Sequence, residues 1–260
     1  MRYRLLLLLT LLWATPGSAA AREVGVSVGS SYSTGKYGGT DPITIGSTYL
    51  GLNAAVSDWR VDATLPYLIV GTGGAAVDAG GLVLPGKGRQ NISGFGDLTL
   101  RTSGPVAIGE LPFDIRLALQ TKIPTGEAGL STGKFDGAVD VEISKALGPV
   151  SPFFTAGYRT YGDSQDLELK DGWALSAGST LTFGKTTVIA SYDWAQSAVD
   201  GPASHELFGV AVGKLSARWG WTAFGSKGLS SGAADFMLGF GVTRSFGEGL
   251  ATPIATKRRI

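Results

Sequence analysis

Apolar and polar residues alternate with period two along about twelve short segments of the chain. Alternation of this kind predicts β-strands, each with one strongly apolar face. The predicted strands are 23–33, 43–53, 59–69, 95–102, 113–123, 136–146, 150–160, 172–183, 186–196, 206–214, 218–226 and 235–246. The chain is therefore predicted to be all-β.

The last predicted strand, 235–246, carries its bulky residues on one face and small residues on the other. The bulky face holds Phe236, Leu238, Phe240, Val242 and Phe246, and the small face holds Met237, Gly239, Gly241, Thr243 and Ser245. In a soluble β-protein, the face opposite the core carries solvated charged groups. A bulky face opposed by a small one instead favours lipid outside and a crowded or watery barrel lumen inside.

The second predicted strand breaks its own alternation. Ile43 and Ile45 lie in the opposite phase to Leu50 and Leu52. A single extra residue would restore one continuous apolar face, so we expect a β-bulge near Ser47 and Thr48.

Connections between the predicted strands alternate in length. The longer ones are 34–42, 70–94, 124–135, 161–171, 197–205 and 227–234, and the shorter ones are 54–58, 147–149, 184–185 and 215–217, with 103–112 as an exception. Outer-membrane barrels have short periplasmic turns and longer outside loops. The pattern predicts an antiparallel up-and-down transmembrane β-barrel of about twelve strands, with both termini in the periplasm. The 70–94 loop is expected outside, either as a lid over the mouth or as a plain surface loop.

Pairs of aromatic residues stand eight to ten positions apart on the apolar face of one strand. This spacing is roughly 25 to 35 Å along a strand, and tilt reduces it to roughly the height of a barrel's apolar band. The candidate lipid-interface aromatics are Trp59, Tyr67, Trp173, Phe183, Phe236 and Phe246. The alternative is that these rings fill a soluble core.

The N-terminus has the features of a secretory signal peptide. A basic start at Arg2 and Arg4 precedes an apolar run from Leu5 to Trp13 and small residues up to Ala21. The predicted organisation is a signal peptide at 1–21, an outer-membrane barrel at 22–246 and a C-terminal tail at 247–260. We expect the protein in a bacterial outer membrane.

Composition agrees with a barrel and narrows the chemistry. Glycine makes up 40 of 260 residues, charged residues are 17%, and there is no cysteine. The net charge of +1 argues against nucleic acid as a partner, because no basic patch stands out. No cofactor is expected, and no metal site is expected because the carboxylates lack calcium-loop spacing and thiolate ligands are absent.

Charged residues fall in the phase that would face the lumen, with both signs interspersed. They are Arg60, Asp62, Asp97, Arg101, Asp114, Arg116, Lys122, Asp136, Asp140, Glu142, Arg159 and Asp193. Two interpretations stay open, a salt-bridge network that braces the wall and a constriction that orients a polar solute.

An enzyme is not predicted. The single histidine, His205, has Ser204 and Glu206 as chain neighbours. Adjacent residues of an extended chain point to opposite sides, so Ser204 and His205 are poorly placed to act as nucleophile and base.

Two stretches resemble a known family: Ser93 to Arg101 (SGFGDLTLR) and Leu119 to Glu127 (LQTKIPTGE). They are similar to the outer-membrane barrel family named after the meta-pathway of phenol degradation, and the resemblance covers roughly residues 59 to 246. It implies an outer-membrane channel for aromatic or other poorly permeating compounds, and it brings no catalytic or binding residues. One departure is that Phe246, in the place of the usual terminal aromatic, is followed by 247–260.

The expected function is passive or selective passage of small molecules through the barrel. The alternatives are a structural or adhesive barrel with a blocked lumen, a membrane-embedded hydrolase and a soluble secreted β-protein. The expected partners are outer-membrane lipid, a small-molecule solute and the barrel-assembly machinery.

Overall fold

The computed structural model of the chain describes residues 23–39, 41–71, 91–162 and 168–247. The predicted signal peptide, most of the 70–94 loop and nearly all of the predicted tail lie outside these residues. The described strands are β1 (Glu23–Gly35), β2 (Ile43–Val56), β3 (Trp59–Gly71), β4 (Ile92–Phe95), β5 (Leu98–Pro105), β6 (Asp114–Ile123), β7 (Asp136–Ser144), β8 (Val150–Thr160), β9 (Gly172–Phe183), β10 (Thr186–Ala195), β11 (Ser204–Lys214), β12 (Trp219–Gly228) and β13 (Phe236–Gly247). No helix among these residues is long and apolar enough to cross a membrane.

The strands form one antiparallel sheet that closes on itself. Strands that are neighbours in sequence pair with each other, except β4 and β5, and β1 pairs with both β2 and β13. In the closing ladder, Phe246 lies opposite Val24 and Phe236 opposite Thr34. The final strand therefore completes the barrel with Phe246 inside its ladder, whatever follows it in the chain.

Both β4 and β5 pair with β3, one above the other. Together they occupy one position in the wall, and the chain departs from the ladder between them at Gly96 and Asp97. The barrel thus has twelve strand positions, which confirms the predicted fold class. The predicted strand at 95–102 spans the last residue of β4, the interruption and the first part of β5.

The bulge expected in β2 is absent. The strand pairs with β1 and β3 in continuous register through Ser47 and Thr48. Ile43 and Ile45 are buried, whereas Leu50 and Leu52 are exposed. The apolar phase changes because the interior itself is apolar at that end of the barrel, so the strand needs no extra residue.

Connection lengths alternate as predicted. Longer segments join the strands at 36–42, 72–91, 124–135, 161–171, 196–203 and 229–235, and shorter ones at 57–58, 145–149, 184–185 and 215–218, with 106–113 again the longest of the second set. We call the two ends of the barrel the loop end and the turn end.

The two faces of β13 differ as its sequence pattern predicts. Phe236, Leu238 and Phe240 are exposed on the outer side. On the inner side, the Tyr49 ring crosses β1 and its hydroxyl occupies the space that a Cβ would need at Gly29 and at Gly241. The Phe224 ring covers Gly239 in the same way. The small face therefore makes room for aromatic rings that lie flat against the inner wall.

We expect Gly29→Ala to destabilise the barrel by about 1 to 3 kcal/mol, because the added methyl overlaps the Tyr49 ring and a backbone oxygen of Phe240. The measurement is the urea midpoint of the folded form on a gel without heating. Gly46→Ala is the matched control, since a Cβ there meets nothing closer than 3.8 Å. Equal midpoints for the two variants would contradict this packing.

Candidate functional site: the barrel lumen

The predicted lumen charges of the third to seventh strands share one face of the sheet. Directly opposed residues in an antiparallel ladder lie on the same side. Asp62 is opposite Arg101, Arg116 opposite Glu142, and Lys122 opposite Asp136. The register therefore assembles both charge signs into one wall, where sequence alone offered only the strand phase.

Asp140 lies between two arginines. Arg159 Nη1 is 2.6 Å from Asp140 Oδ1, and Arg101 Nη1 is 3.3 Å from Asp140 Oδ2. Arg101 also donates a hydrogen bond to Gln120 Oε1 at 3.4 Å. Asp140 is buried while both guanidinium groups remain partly exposed. This arrangement leaves cationic surface toward the interior and hides the carboxylate.

Lys122 is the most deeply buried charge of the described chain. Its side chain is 0% exposed, and its Nζ lies 2.7 Å from Asp136 Oδ2 and 3.2 Å from Asp97 Oδ2. Nζ also donates to Thr132 Oγ1 at 2.9 Å. A buried ammonium is tolerated only with such partners. Asp136, which completes the cluster, belongs with the charges of the lumen wall.

Residues 124–132, which we call the strap, are fastened inside the loop end. Asp97 accepts hydrogen bonds from Gly126 N and from Ser131 Oγ, each at 2.8 Å. Glu127 Oε1 accepts from Phe95 N at 2.9 Å, and Glu127 N donates to Phe95 O at 2.9 Å. The interruption between β4 and β5 thus supplies the anchor, because Asp97 leaves the ladder to hold the strap.

An apolar cluster, which we call the loop-end plug, fills this end of the barrel. Its buried members come from β2, β3, the strap and two further loops, and they are Ile43, Ile45, Leu68, Val70, Leu130, Leu169 and Ala198. Leu130 and Val70 are 0% exposed. The sequence analysis does not predict the plug. The only sign of it in the sequence is the change in phase of the apolar residues along β2, because Ile43 and Ile45 belong to the plug.

Tyr37, in the loop after β1, packs against the plug. Its hydroxyl donates a hydrogen bond to Ser33 Oγ at 3.0 Å. Burial raises the pKa of the Tyr37 phenol above its usual value. The phenol therefore stays neutral, which suits its place beside apolar side chains.

A cavity of ≈ 1130 Å³ opens at the turn end. Arg116, Glu142 and Asp114 line it together with Phe153 and Leu111. The remaining predicted pair stands by itself near this end, with Arg60 Nε 2.8 Å from Asp62 Oδ1. The described lumen therefore has an open, charged cavity toward the turns, whereas apolar side chains and the buried ion cluster of Lys122 fill it toward the loops.

A smaller cavity of ≈ 150 Å³ lies beside Asp140 and Arg159. Asp193 and Glu206, opposite each other on β10 and β11, line its other side. Asp193 accepts hydrogen bonds from Ser176 and Ser191. The polar lining thus continues onto the later strands, where Glu206 is a residue that the sequence does not predict.

The six candidate interface aromatics lie in the outward phase of their strands. Tyr67, Trp173, Phe183, Phe236 and Phe246 are exposed. Trp59 is half-buried because its ring covers Gly104 on the neighbouring strand. The Tyr67 ring also packs edge-on against the Phe95 ring, with 5.4 Å between the ring centres. Phe95 therefore joins the set, although the sequence analysis does not include it.

His205 is not paired with a serine side chain through its ring. Its Nδ1 shares a hydrogen bond with the Tyr192 hydroxyl on the outer face, and its backbone N donates to Ser230 Oγ. Among the described residues there is also no group of three or more His, Asp or Glu side chains that could hold a metal ion.

Comparison with known proteins places the fold. No family model matches the chain, and no curated protein matches it in sequence. The chain is similar in structure to the COG4313 outer membrane channel from Pseudomonas putida F1, with a TM-score of 0.66 and 16% identity over 90% of this chain and 100% of that one.

Two further structures match at a lower level. OmpT of Vibrio cholerae has a TM-score of 0.38 and 12% identity over 87% of this chain and 100% of that one. OprB of Pseudomonas putida, in its low-pH structure, has a TM-score of 0.34 and 7% identity over 86% of this chain and 91% of that one. The first comparison shows that the chain has the fold of an outer-membrane β-barrel.

We expect Lys122→Met to destabilise the protein by about 3 to 5 kcal/mol, because it leaves Asp97 and Asp136 buried without their cation. The urea midpoint measures the loss. Asp200→Asn is the control, since it breaks the exposed pair with Lys170 and should leave the midpoint unchanged. A Lys122 variant as stable as the wild type would show that the ion cluster of Lys122, Asp97 and Asp136 does not stabilise the strap.

Proposed function

We propose that the protein is an outer-membrane channel for the passive or selective passage of small molecules. The observation that carries this is the contrast between its two faces. Bulky apolar residues are exposed around the outside, and a mixed charged wall lines a cavity of ≈ 1130 Å³ inside. An exposed apolar belt suits lipid, and a charged interior suits water and polar solutes.

The Pseudomonas putida protein of similar fold is an outer membrane channel, which supports the same proposal for this chain. A twelve-strand barrel is intermediate in width between filled eight-strand barrels and open sixteen-strand porins. Passage should therefore be slow and selective. The proposed location is the outer membrane, with the turn end toward the periplasm, reached by an export signal at 1–21 and the barrel-assembly machinery.

We further propose that the chain is related to the meta-pathway family and that it transports the kind of compound which that resemblance implies. The two stretches that resemble it, 93–101 and 119–127, are in contact in the structure. The first contains residues of β4 and β5, and these hold the strap, which begins within the second. Besides the Asp97 and Glu127 contacts, Leu98 N donates to Thr125 Oγ1 at 2.9 Å. The resemblance thus falls on the strap and on the strands that hold it, and the cargo that it implies is aromatic or other poorly permeating compounds.

A barrel with a blocked lumen is the second candidate function. The loop-end plug favours it, since its members leave no exposed surface at Leu130 or Val70. The channel and the blocked barrel differ in whether the loop-end plug can be displaced. A structural or adhesive barrel keeps it closed, whereas a channel has a strap that can be displaced.

Arg116→Glu tests the channel in a planar bilayer. We expect the wild type to give discrete conductance steps, and the variant to shift the reversal potential in a salt gradient toward cation preference, because Arg116 lines the turn-end cavity. Lys36→Glu, an exposed residue of the first loop, is the charge-matched control and should not shift it. Folded protein that gives no steps would favour the blocked barrel.

Leu130→Asp tests whether the strap and plug limit the pore. An aspartate cannot remain in the apolar cluster without a cation partner, so the strap should leave the lumen and raise single-channel conductance. Ala128→Asp is the control, because Ala128 is exposed in the same segment. Equal conductance of the two variants, both folded, would mean that the strap does not limit flow.

A further inference from the structure

Four cations lie exposed at the turn end of one half of the barrel. They are Lys145, Lys185, Arg218 and Arg244, carried by the turns after β7, β9 and β11 and by β13. We call this set the basic arc. It covers the rim from β7 to β13, a run of seven neighbouring strands.

The chain segments that carry the basic arc hold no acidic residue. The segments 144–150, 182–187, 213–220 and 243–247 contain no aspartate or glutamate. Glu23, at the start of β1, is buried. None of the described ion pairs includes a member of the arc. Four cations of the lumen wall, Arg60, Arg101, Lys122 and Arg159, are in ion pairs, whereas the members of the basic arc are exposed at the rim.

Arg244 is held in a defined place on the outer face. Its guanidinium carbon lies 5.7 Å from the centre of the Trp219 ring and 5.1 Å from the centre of the Phe246 ring. Both rings are exposed on the lipid-facing phase. Stacking of this kind holds the planar group at the depth of the aromatic belt while its donors stay available. An arginine at that depth matches the position of a phosphate group.

We propose that the basic arc binds anionic phospholipid headgroups of the leaflet at the turn end, with Arg244 as the phosphate clamp. The inference rests on the proposed function, because it needs the barrel in a bilayer. Charge complementarity selects the ligand: a phosphodiester fits the guanidinium fork, and a negatively charged leaflet attracts the three further cations. In a bacterial outer membrane the leaflet at the turns is the phospholipid one.

The test is quenching of tryptophan fluorescence by brominated lipids, with the folded mature barrel in phosphatidylcholine vesicles that contain phosphatidylglycerol. We expect the quenching to give a relative binding constant at the barrel surface that is roughly fivefold higher for brominated phosphatidylglycerol than for brominated phosphatidylcholine. Arg244→Gln should remove about half of this preference. The triple variant, which adds Lys185→Gln and Arg218→Gln, should lose most of the remainder. Salt at about 1 M should suppress it.

Lys36→Gln, a cation of the loop end, is the control and should retain the wild-type preference. Equal competition by the two lipids in the wild type, or a preference that survives in the Arg244 and triple variants, would overturn the inference. Quenching by neither lipid would mean that the barrel is not in the bilayer, which contradicts the proposed function itself and the lipid site with it.

Discussion

Backbone hydrogen bonding in a medium without water requires this sheet to close, and most of the remaining structure follows from that closure. A sheet edge in hydrocarbon would leave donors and acceptors unsatisfied at a cost of several kcal/mol each. The ladder between β1 and β13 removes the edge over twelve residue pairs. Once closed, the sheet has an outside and an inside, and every strand must divide its residues between them. The period of two along the chain is the record of that division.

The inside is divided again along the barrel axis. Tyr49 and Phe224 lie flat over glycines on one part of the wall, and ion pairs around Asp140 and Lys122 occupy another. Toward the loops the lining becomes apolar and is capped by the strap, with Leu130 in the plug. Asp97 connects these regions, because the same carboxylate pairs with Lys122 and holds the strap. The interruption of the wall after β4 places that carboxylate there.

The sequence was sufficient for the fold because β-strand phase and connection length are local signals. Strand positions, the alternation of loops and turns and the outward phase of the aromatics all needed only a few neighbouring residues. The site needed more. The partners of Lys122 come from positions 97 and 136, and no periodicity links them. The phase of Ile43 and Ile45 predicts a β-bulge that the structure does not have, because strand phase alone does not show which part of the lumen a residue faces. The plug is a contact of distant loops, and such contacts are fixed by register and chain reversal.

Small solutes that cross the charged lumen have to pass the loop-end plug, and we propose that this plug can be displaced. Swelling of liposomes that contain the folded wild-type barrel, in isotonic solutions of neutral solutes of graded size, measures this passage most directly. We expect slow swelling that is measurable for the smallest solutes and falls steeply with solute size, because a twelve-strand pore is narrow. Swelling no faster than in protein-free liposomes for every solute, with the barrel shown to be folded, would contradict it.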